Sequence, residues 1–310
     1  SRSGSVSFTD LDLSNRYTAS ILTSNSDAVV WSGGTLTTTQ QTAILAGWRV
    51  AAAAGNTNNG TYNWTYSIGN SDLDFLRDGE TLVLKGYLEV VDSSGSKASQ
   101  LLTITITGTN DTPQISNAPD AAALTETNAS LTTNGSITVT DLDLTDTIAA
   151  TVDSVAITGG TFNAAQIPLT NAELKAMLAL SAAGGTSAIP ANVPTGSDFT
   201  WTFTSGPASG GGNKAFDFLA AGESVVLTYT VRTQDNSPSR TGKSADSTTT
   251  TVTITVTGTN DSPDITIVDV TGAVTEDTST TSAGTATAQV NSLTLSGLYE
   301  VGDAITATVN

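Results

Sequence analysis

Ile106-Thr107-Gly108-Thr109-Asn110-Asp111-Thr112-Pro113 recurs, 150 positions further on, as Val256-Thr257-Gly258-Thr259-Asn260-Asp261-Ser262-Pro263. In both, an alternating strand runs into a Gly-Thr-Asn-Asp-x-Pro corner and new chain starts beyond it, so each stretch marks a seam between copies of one module. The strands entering the seams decide the fold class. Leu102-Thr103-Ile104-Thr105-Ile106-Thr107 and Thr251-Val252-Thr253-Ile254-Thr255-Val256-Thr257 carry a branched apolar residue at every second position. That period buries Val252, Ile254 and Val256 on one face and turns the threonines to water. Short strands of this kind, separated by Gly, Asn, Asp and Ser turns, predict an all-β chain of tandem antiparallel β-sandwich modules.

The copies extend outward from the seams. Ser136-Ile137-Thr138-Val139-Thr140-Asp141-Leu142-Asp143-Leu144 repeats Ser5-Val6-Ser7-Phe8-Thr9-Asp10-Leu11-Asp12-Leu13, Trp201-Thr202-Phe203 answers Trp64-Thr65-Tyr66, and Phe216-Asp217-Phe218-Leu219-Ala220-Ala221-Gly222-Glu223 answers Leu73-Asp74-Phe75-Leu76-Arg77-Asp78-Gly79-Glu80. The offset grows from 131 at Asp10/Asp141 to 150 at Ile106/Val256. The second copy therefore carries insertions, placed mostly in the Gly/Ala/Pro-rich run 182–212, where loops accept them. Copy one is expected over 1–112 without its own first strand, copy two complete over 113–262, and copy three truncated over 263–310. With no initiator Met, signal peptide or membrane-length apolar run, the chain reads as a window of something longer. Each copy is also expected to hold one short helix as a flap over an open side of the sandwich. Thr170-Asn171-Ala172-Glu173 has capping-box spacing ahead of Leu174, Met177 and Leu178, and Thr38-Thr39-Gln40-Gln41 precedes Ala43, Ile44 and Leu45.

Charge restricts the partners. Asp plus Glu number 29 against 11 Lys plus Arg, a net charge of −18, so repulsion excludes nucleic acid, and neither the charge nor the hydropathy suits direct membrane insertion. Cations are the natural counterpart. The chain has no Cys and no His, which removes disulfides, nucleophile–imidazole catalysis and nitrogen- or sulfur-ligated zinc. A carboxylate-pair hydrolase stays open on composition alone. Its acids, however, recur in every copy, and an active site normally occurs once.

Recurrent acids at seams suit a hard divalent cation. Calcium takes six to eight oxygen ligands at about 2.3–2.6 Å, which requires several carboxylates plus amide or carbonyl oxygens gathered together. The Asp-Leu-Asp pairs supply two carboxylates from one turn, and Asn110-Asp111 and Asn260-Asp261 supply an amide oxygen and a carboxylate from a short linker. Any one such pair reads as a solvated turn; their joint recurrence argues for a site. Asp141-Leu142-Asp143-Leu144-Thr145-Asp146 starts like a helix-loop-helix calcium loop, but Gly is missing at its sixth position and Val152 stands where the bidentate Glu belongs. Gly210-Gly211-Gly212 lacks the continuation of a β-roll repeat.

The order Thr-Glu, Gly-Ser-Ile-Thr-Val-Thr-Asp-Leu-Asp, Trp-Thr-Phe, Phe-Leu-Ala-Ala-Gly-Glu and Thr-Val-Thr-Ile-Thr-Val-Thr-Gly-Thr-Asn-Asp-Ser-Pro resembles the VCBS repeat of large bacterial RTX-type surface adhesins, similar in plan to cadherin-like and Ig-like tandem domains. The resemblance covers copy two and the matching parts of copies one and three. It implies a calcium-stiffened extender of a secreted repetitive adhesin or surface filament, without catalysis, exported by a type I system and held at the cell surface. The partners it implies are neighbouring modules of the same chain or filament. Carried over by position, the first seam would bind Ca2+ through Glu80, Asn110, Asp111, Asp141, Asp143 and Asp235, and the second through Glu126, Glu223, Asn260 and Asp261. Asp10, Asp12 and Asp92 would face a preceding module and Glu276 a following one. The Leu-Ala-Ala-Gly-Glu corner is one residue longer than the cadherin corner, and copy three has Ala288-Gln289-Val290-Asn291-Ser292-Leu293 in place of Asp-x-Asp. The second seam is thus the poorer in ligands.

The competing reading is a module that binds a cell-surface or matrix glycan, or ice. It needs an exposed aromatic platform or a flat Thr array. Trp64 and Trp201 repeat at one strand position and read as core, which leaves Trp31 and Trp48 as candidates for such a platform.

Overall fold

The computed structural model describes residues 1–127, 129–191, 193–206, 216–237, 247–262, 264–266 and 294–296. Glu276, the run 288–293 and glycines 210–212 lie outside them.

The chain opens with β1 (Arg2–Thr9), β2 (Tyr17–Leu22), β3 (Val29–Trp31), α1 (Thr38–Leu45), β4 (Trp48–Ala52), β5 (Asn59–Tyr66), β6 (Thr81–Asp92) and β7 (Lys97–Thr107). β5 lies between β1 and β4 in one sheet; in the other, β6 pairs with β2 and β3 and with β7. Tyr62, Tyr66, Leu82, Leu84, Leu88, Leu102 and Ile104 fill the space between these sheets. A second sandwich follows: β8 (Gln114–Ile115), β9 (Asp120–Thr125), β10 (Thr132–Thr140), β11 (Ile148–Gly160), α2 (Asn171–Ala176), β12 (Leu178–Ala182), β13 (Ala188–Ile189), β14 (Ser197–Thr204), β15 (Ser224–Asp235) and β16 (Ser247–Thr257). Its sheets have the orders β12-β14-β10-β8 and β13-β11-β15-β16-β9. β9 runs parallel to β16; the other pairs in both sandwiches are antiparallel. Two further short strands, β17 (Asp264–Thr266) and β18 (Thr294–Ser296), pair with each other.

Period two sets the burial. Val252, Ile254 and Val256 are fully buried, against Leu227, Tyr229 and Val231 of β15 and Phe199, Trp201 and Phe203 of β14. Burial of such side chains, at about 1.5–3 kcal/mol each, is the main force holding the two sheets together. The threonines of β7 face water as the alternation predicts, whereas Thr251, Thr253 and Thr255 of β16 are half-covered, because β16 has a neighbouring strand on both edges.

Both short helices form. Thr170 caps α2 through the predicted box with Glu173. In the first sandwich the cap is Thr37 and not Thr38: its Oγ1 accepts from Gln40 N–H at 3.2 Å and Gln40 Oε1 accepts from Thr37 N–H at 2.9 Å. The one-residue shift puts fully buried Ile44 on the core side, where Tyr66 donates its hydroxyl to the Ile44 carbonyl. Tyr229 does the same to the Leu174 carbonyl of α2.

Candidate metal centre at the first seam

The corner motif has a packing cause. Gly108 N–H donates to the Glu80 carbonyl at 2.9 Å, and a Cβ on Gly108 would collide with the carbonyl oxygens of Leu76 and Arg77. Gly258 repeats the arrangement with Glu223, Leu219 and Ala220. Only glycine lets the end of the last strand lie against the corner, and the Asn-Asp pair that follows is thereby delivered to the end of each sandwich.

At the first seam, Asn110 and Asp111 meet the Asp-Leu-Asp turn that follows β10. Asp141 Oδ1 accepts from Asp143 N–H at 3.0 Å, which closes the turn. Asp143 Oδ2 accepts from Asp111 N–H at 2.7 Å, and Asn110 Nδ2 donates to Asp235 Oδ2 at 3.0 Å. Asp146 completes the group. Asp141, Asp146 and Asp235 each bring an oxygen within 4.8 Å of the others. Asp141, Asp143, Asp146 and Asp235 are all at most 4% exposed.

Several of these oxygens are left over. Asp141 Oδ2, Asp143 Oδ1 and Asn110 Oδ1 are buried without a hydrogen-bond partner. Two full negative charges about 5 Å apart repel by roughly 3 kcal/mol at an effective dielectric of about 20, so the cluster has to hold protons or a cation. Burial, with the charges of Asp146, Asp235 and Asp111 adding to it and the Asp143 N–H opposing it, pushes the Asp141 carboxyl up to about 7. Burial likewise pushes Asp143 up to about 8, with the Asp111 N–H opposing and Asp141 and Asp146 adding. Asp111 is raised by burial and by Asp74. The donor set is all oxygen and is drawn from both sandwiches. A group of buried, all-oxygen donors of this kind fits a hard divalent cation.

The surroundings tie the two sandwiches together. Arg77 Nη1 lies 3.0 Å from Asp146 Oδ1, while Ser237 Oγ donates to Asp146 Oδ2 at 2.6 Å. Thr145 Oγ1 donates to Glu80 Oε1 at 2.5 Å, and Leu144 packs on the first core with its N–H donating to the Phe75 carbonyl at 3.3 Å. Glu80 thus reaches the seam, but its oxygens take hydrogen bonds from Thr145 and from Trp31 Nε1 (2.8 Å) rather than joining the carboxylate cluster.

The same half-site recurs at the other end of the first sandwich, uncovered. Asp10 Oδ1 accepts from Asp12 N–H at 2.9 Å, and Asn15 Nδ2 donates to Asp92 Oδ2 at 3.2 Å. Leu13, the counterpart of Leu144, is 80% exposed. Asn15 stands where copy two has Asp146, so a search for recurring acids passes over Asp146; the third acid of Asp-Leu-Asp-Leu-Thr-Asp was its only signal.

At the second seam, Glu126 is fully buried, its Oε2 accepting from Thr259 N–H (3.1 Å) and Oγ1 (2.6 Å) while Oε1 has no partner. Asp217, at a position the motifs did not single out, lies close by. Burial, then the charges of Glu126 and Asp261, push it up to about 6. Glu223 accepts from the Ala220 N–H of its own corner at 3.0 Å, and Asn260 is exposed, its Nδ2 donating to the Asp261 carbonyl. Ala220 replaces Arg77 here.

The aromatic platform does not form. Trp48 is 7% exposed and packs on Tyr66 and Trp64 at 5.1 and 5.7 Å between ring centroids. Trp31 is half-buried, edge-on to Phe75 and bonded to Glu80. Both serve the core and the seam, which corrects the expectation that they stand exposed. Trp201 is buried as expected, and Trp64 is half-buried.

No protein-family model and no curated protein matches the chain. Among solved structures, human protocadherin-24 EC1-2 aligns at 10% identity and TM-score 0.30 over 69% of this chain and 82% of its own. AggA, the major subunit of aggregative adherence fimbriae type I from Escherichia coli, aligns at 12% identity and TM-score 0.27 over 48% and 97%. The collagen adhesin of S. aureus aligns at 8% identity and TM-score 0.15 over 74% and 82%. At these scores the likenesses carry no functional argument, and the fold class stands on the sheets themselves. No helix among the described residues is long and apolar enough to cross a membrane.

Proposed function

We propose that the chain is a calcium-stiffened spacer from a secreted, repetitive bacterial surface adhesin or filament of VCBS type, with modules over 1–112, 113–262 and from 263 onward. One observation supports the reading: at the seam, partnerless buried oxygens of Asn110 in the linker and of Asp141 and Asp143 in one turn of the next sandwich lie beside the grouped carboxylates of Asp141, Asp146 and Asp235. Asp111, Asp141, Asp143, Asp146 and Asp235, with Asn110 Oδ1, would hold the ion. The ion would supply positive charge that, among the described residues, no side chain there provides beyond Arg77. The protein's part is to hold the Asx turn and the linker rigid, so that neutralising the cluster selects one orientation of neighbouring modules. The partners are neighbouring modules of the same kind.

Small-angle scattering of the chain with calcium and with chelator tests this. Chelation is expected to broaden the interdomain distance distribution while far-ultraviolet circular dichroism stays unchanged. Superimposable scattering profiles would refute the stiffening role.

A further inference from the structure

One sheet face of the first sandwich is apolar in a chain of net charge −18. Outside the Asp-Leu-Asp turns and the leucine after the first of them, the large hydrophobic side chains that stand exposed among the described residues are Leu22, Val30 and Leu101, at 41%, 47% and 41%. All three lie on the outer side of the sheet formed by β2, β3, β6 and β7: Leu22 and Leu101 flank Tyr87 in one cross-strand row, and Val30 stands opposite Val83. In the second sandwich the row matching Leu22, Tyr87 and Leu101 is Ser154, Thr230 and Thr251, so the fold does not require an apolar one. The free edge of β7 does not account for it either. In the second sandwich β9 begins opposite Val252, one residue beyond Thr251, and Leu22 and Tyr87 lie on strands further from that edge.

The outward residues of β6 are Val83, Lys85, Tyr87, Glu89 and Val91, a series that is its own complement about Tyr87. A two-fold axis through Tyr87, in the plane of the face and across the strands, brings Tyr87 against Tyr87 of a second copy, Lys85 against Glu89 and Val83 against Val91. Leu22 and Leu101, which share the central row, each meet themselves. The charges on the face cancel, because Lys85 pairs with Asp27 at 2.6 Å and Lys97 with Glu89 at 3.1 Å. Two copies of an acidic chain therefore meet here with opposite charges facing, which removes the repulsion that opposes other approaches. The matching positions of β15 are Val226, Thr228, Thr230, Arg232 and Gln234, which have no such symmetry.

We infer that this outer face is a docking surface for a second copy of the chain, packed sheet on sheet with the two β6 strands antiparallel. Tyr87, Leu22 and Leu101 form its apolar centre, and the two Lys85–Glu89 contacts across the axis fix direction and register. Strands about 4.8 Å apart and rows about 6.8 Å apart give this face roughly 500 Å², less than the ~800 Å² per partner of a standard interface. Pairing of two single chains is thus weak and concentration-dependent, and it multiplies where the face is repeated or held at a surface. The contact is side by side, whereas the seams run end to end, and no carboxylate of the first seam takes part. It stands or falls independently of the metal reading.

Sedimentation equilibrium of the intact chain in chelator, up to a concentration of about 1 mM, tests it. The average mass is expected to rise with concentration from the monomer toward the dimer. Tyr87→Thr, which installs the residue of the second sandwich, should lower the association constant at least about tenfold. Lys85→Glu and Glu89→Lys should each weaken self-association about tenfold, while an equal mixture of these two variants should associate at least as well as the parent, since every facing pair is then of opposite charge. Circular dichroism establishes that each variant is folded. A chain that stays monomeric throughout, association that Tyr87→Thr leaves unchanged, or a mixture no better than its two components overturns the proposal.

Discussion

Arg77, in the corner of the first sandwich, holds its guanidinium 3.0 Å from the Oδ1 of Asp146, a fully buried carboxylate of the second. This ion pair crosses the seam and, among the described residues, is the one fixed positive charge against the acidic cluster. Removing one partner of such a pair leaves the other buried and uncompensated.

Arg77→Ala is therefore expected to loosen the metal-free seam, costing about 1–3 kcal/mol after allowance for the partial exposure of Arg77. Calcium should restore most of the loss by neutralising Asp146 in its place. Thermal unfolding with and without calcium reads both effects; an equal loss in the two conditions would mean that the ion and Arg77 do not share the cluster.

Asp143→Asn removes one buried charge while keeping an oxygen. Calcium affinity is expected to fall at least about tenfold, since charge count sets the strength of such sites. In chelator at pH 8 the same variant should be more stable than the parent, because the unpartnered buried Oδ1 no longer belongs to an ionisable group. Calorimetric titration and denaturant unfolding separate the two signs.

The pH response follows from Asp141 at about 7 and Asp143 at about 8. Both lie above the unfolded value of 3.8, so the folded metal-free protein binds more protons than the unfolded one. Their stabilising contribution is full below about pH 4 and is lost as pH rises toward 7 and 8. Calcium must displace those protons, so its apparent affinity is expected to climb over that same upper range. Proton release on binding, measured in buffers of different ionisation enthalpy, checks the sign.

Asp217 gives the second seam a different signature. Pushed up to about 6 by burial and by Glu126 and Asp261, it should make Asp217→Asn stabilising above pH 6 in chelator and nearly neutral near pH 4. A melting curve at each pH is sufficient, and a pH-independent difference would show that Asp217 packs without feeling those charges.

Gly108→Ala forces a Cβ into the Leu76 and Arg77 carbonyls. The corner must then move away from the last strand, at a cost of about 1–3 kcal/mol. The displaced Asn110-Asp111 linker should also lower calcium affinity, which distinguishes this from a purely local defect.

Strand periodicity, the seams and the Asp-Leu-Asp turns were legible in the amino-acid order because alternation, Gly-dependent corners and Asx turns are set by residues within a few positions of one another. Asp111, Asp141 and Asp143 could be named from recurrence, and Asp235 only from the family resemblance. Asp146 could not, since its counterpart is Asn15 and its value lies in neighbours 69 and 91 positions away, Arg77 and Ser237. The same holds for Glu80, whose oxygens are taken by Trp31 and Thr145, and for Trp48, drawn inward by Tyr66. Local chemistry determined which residues turn and which strands form. Only the packing of one sandwich against the next decided which acids lose water, which find a partner and which are left with an unused oxygen.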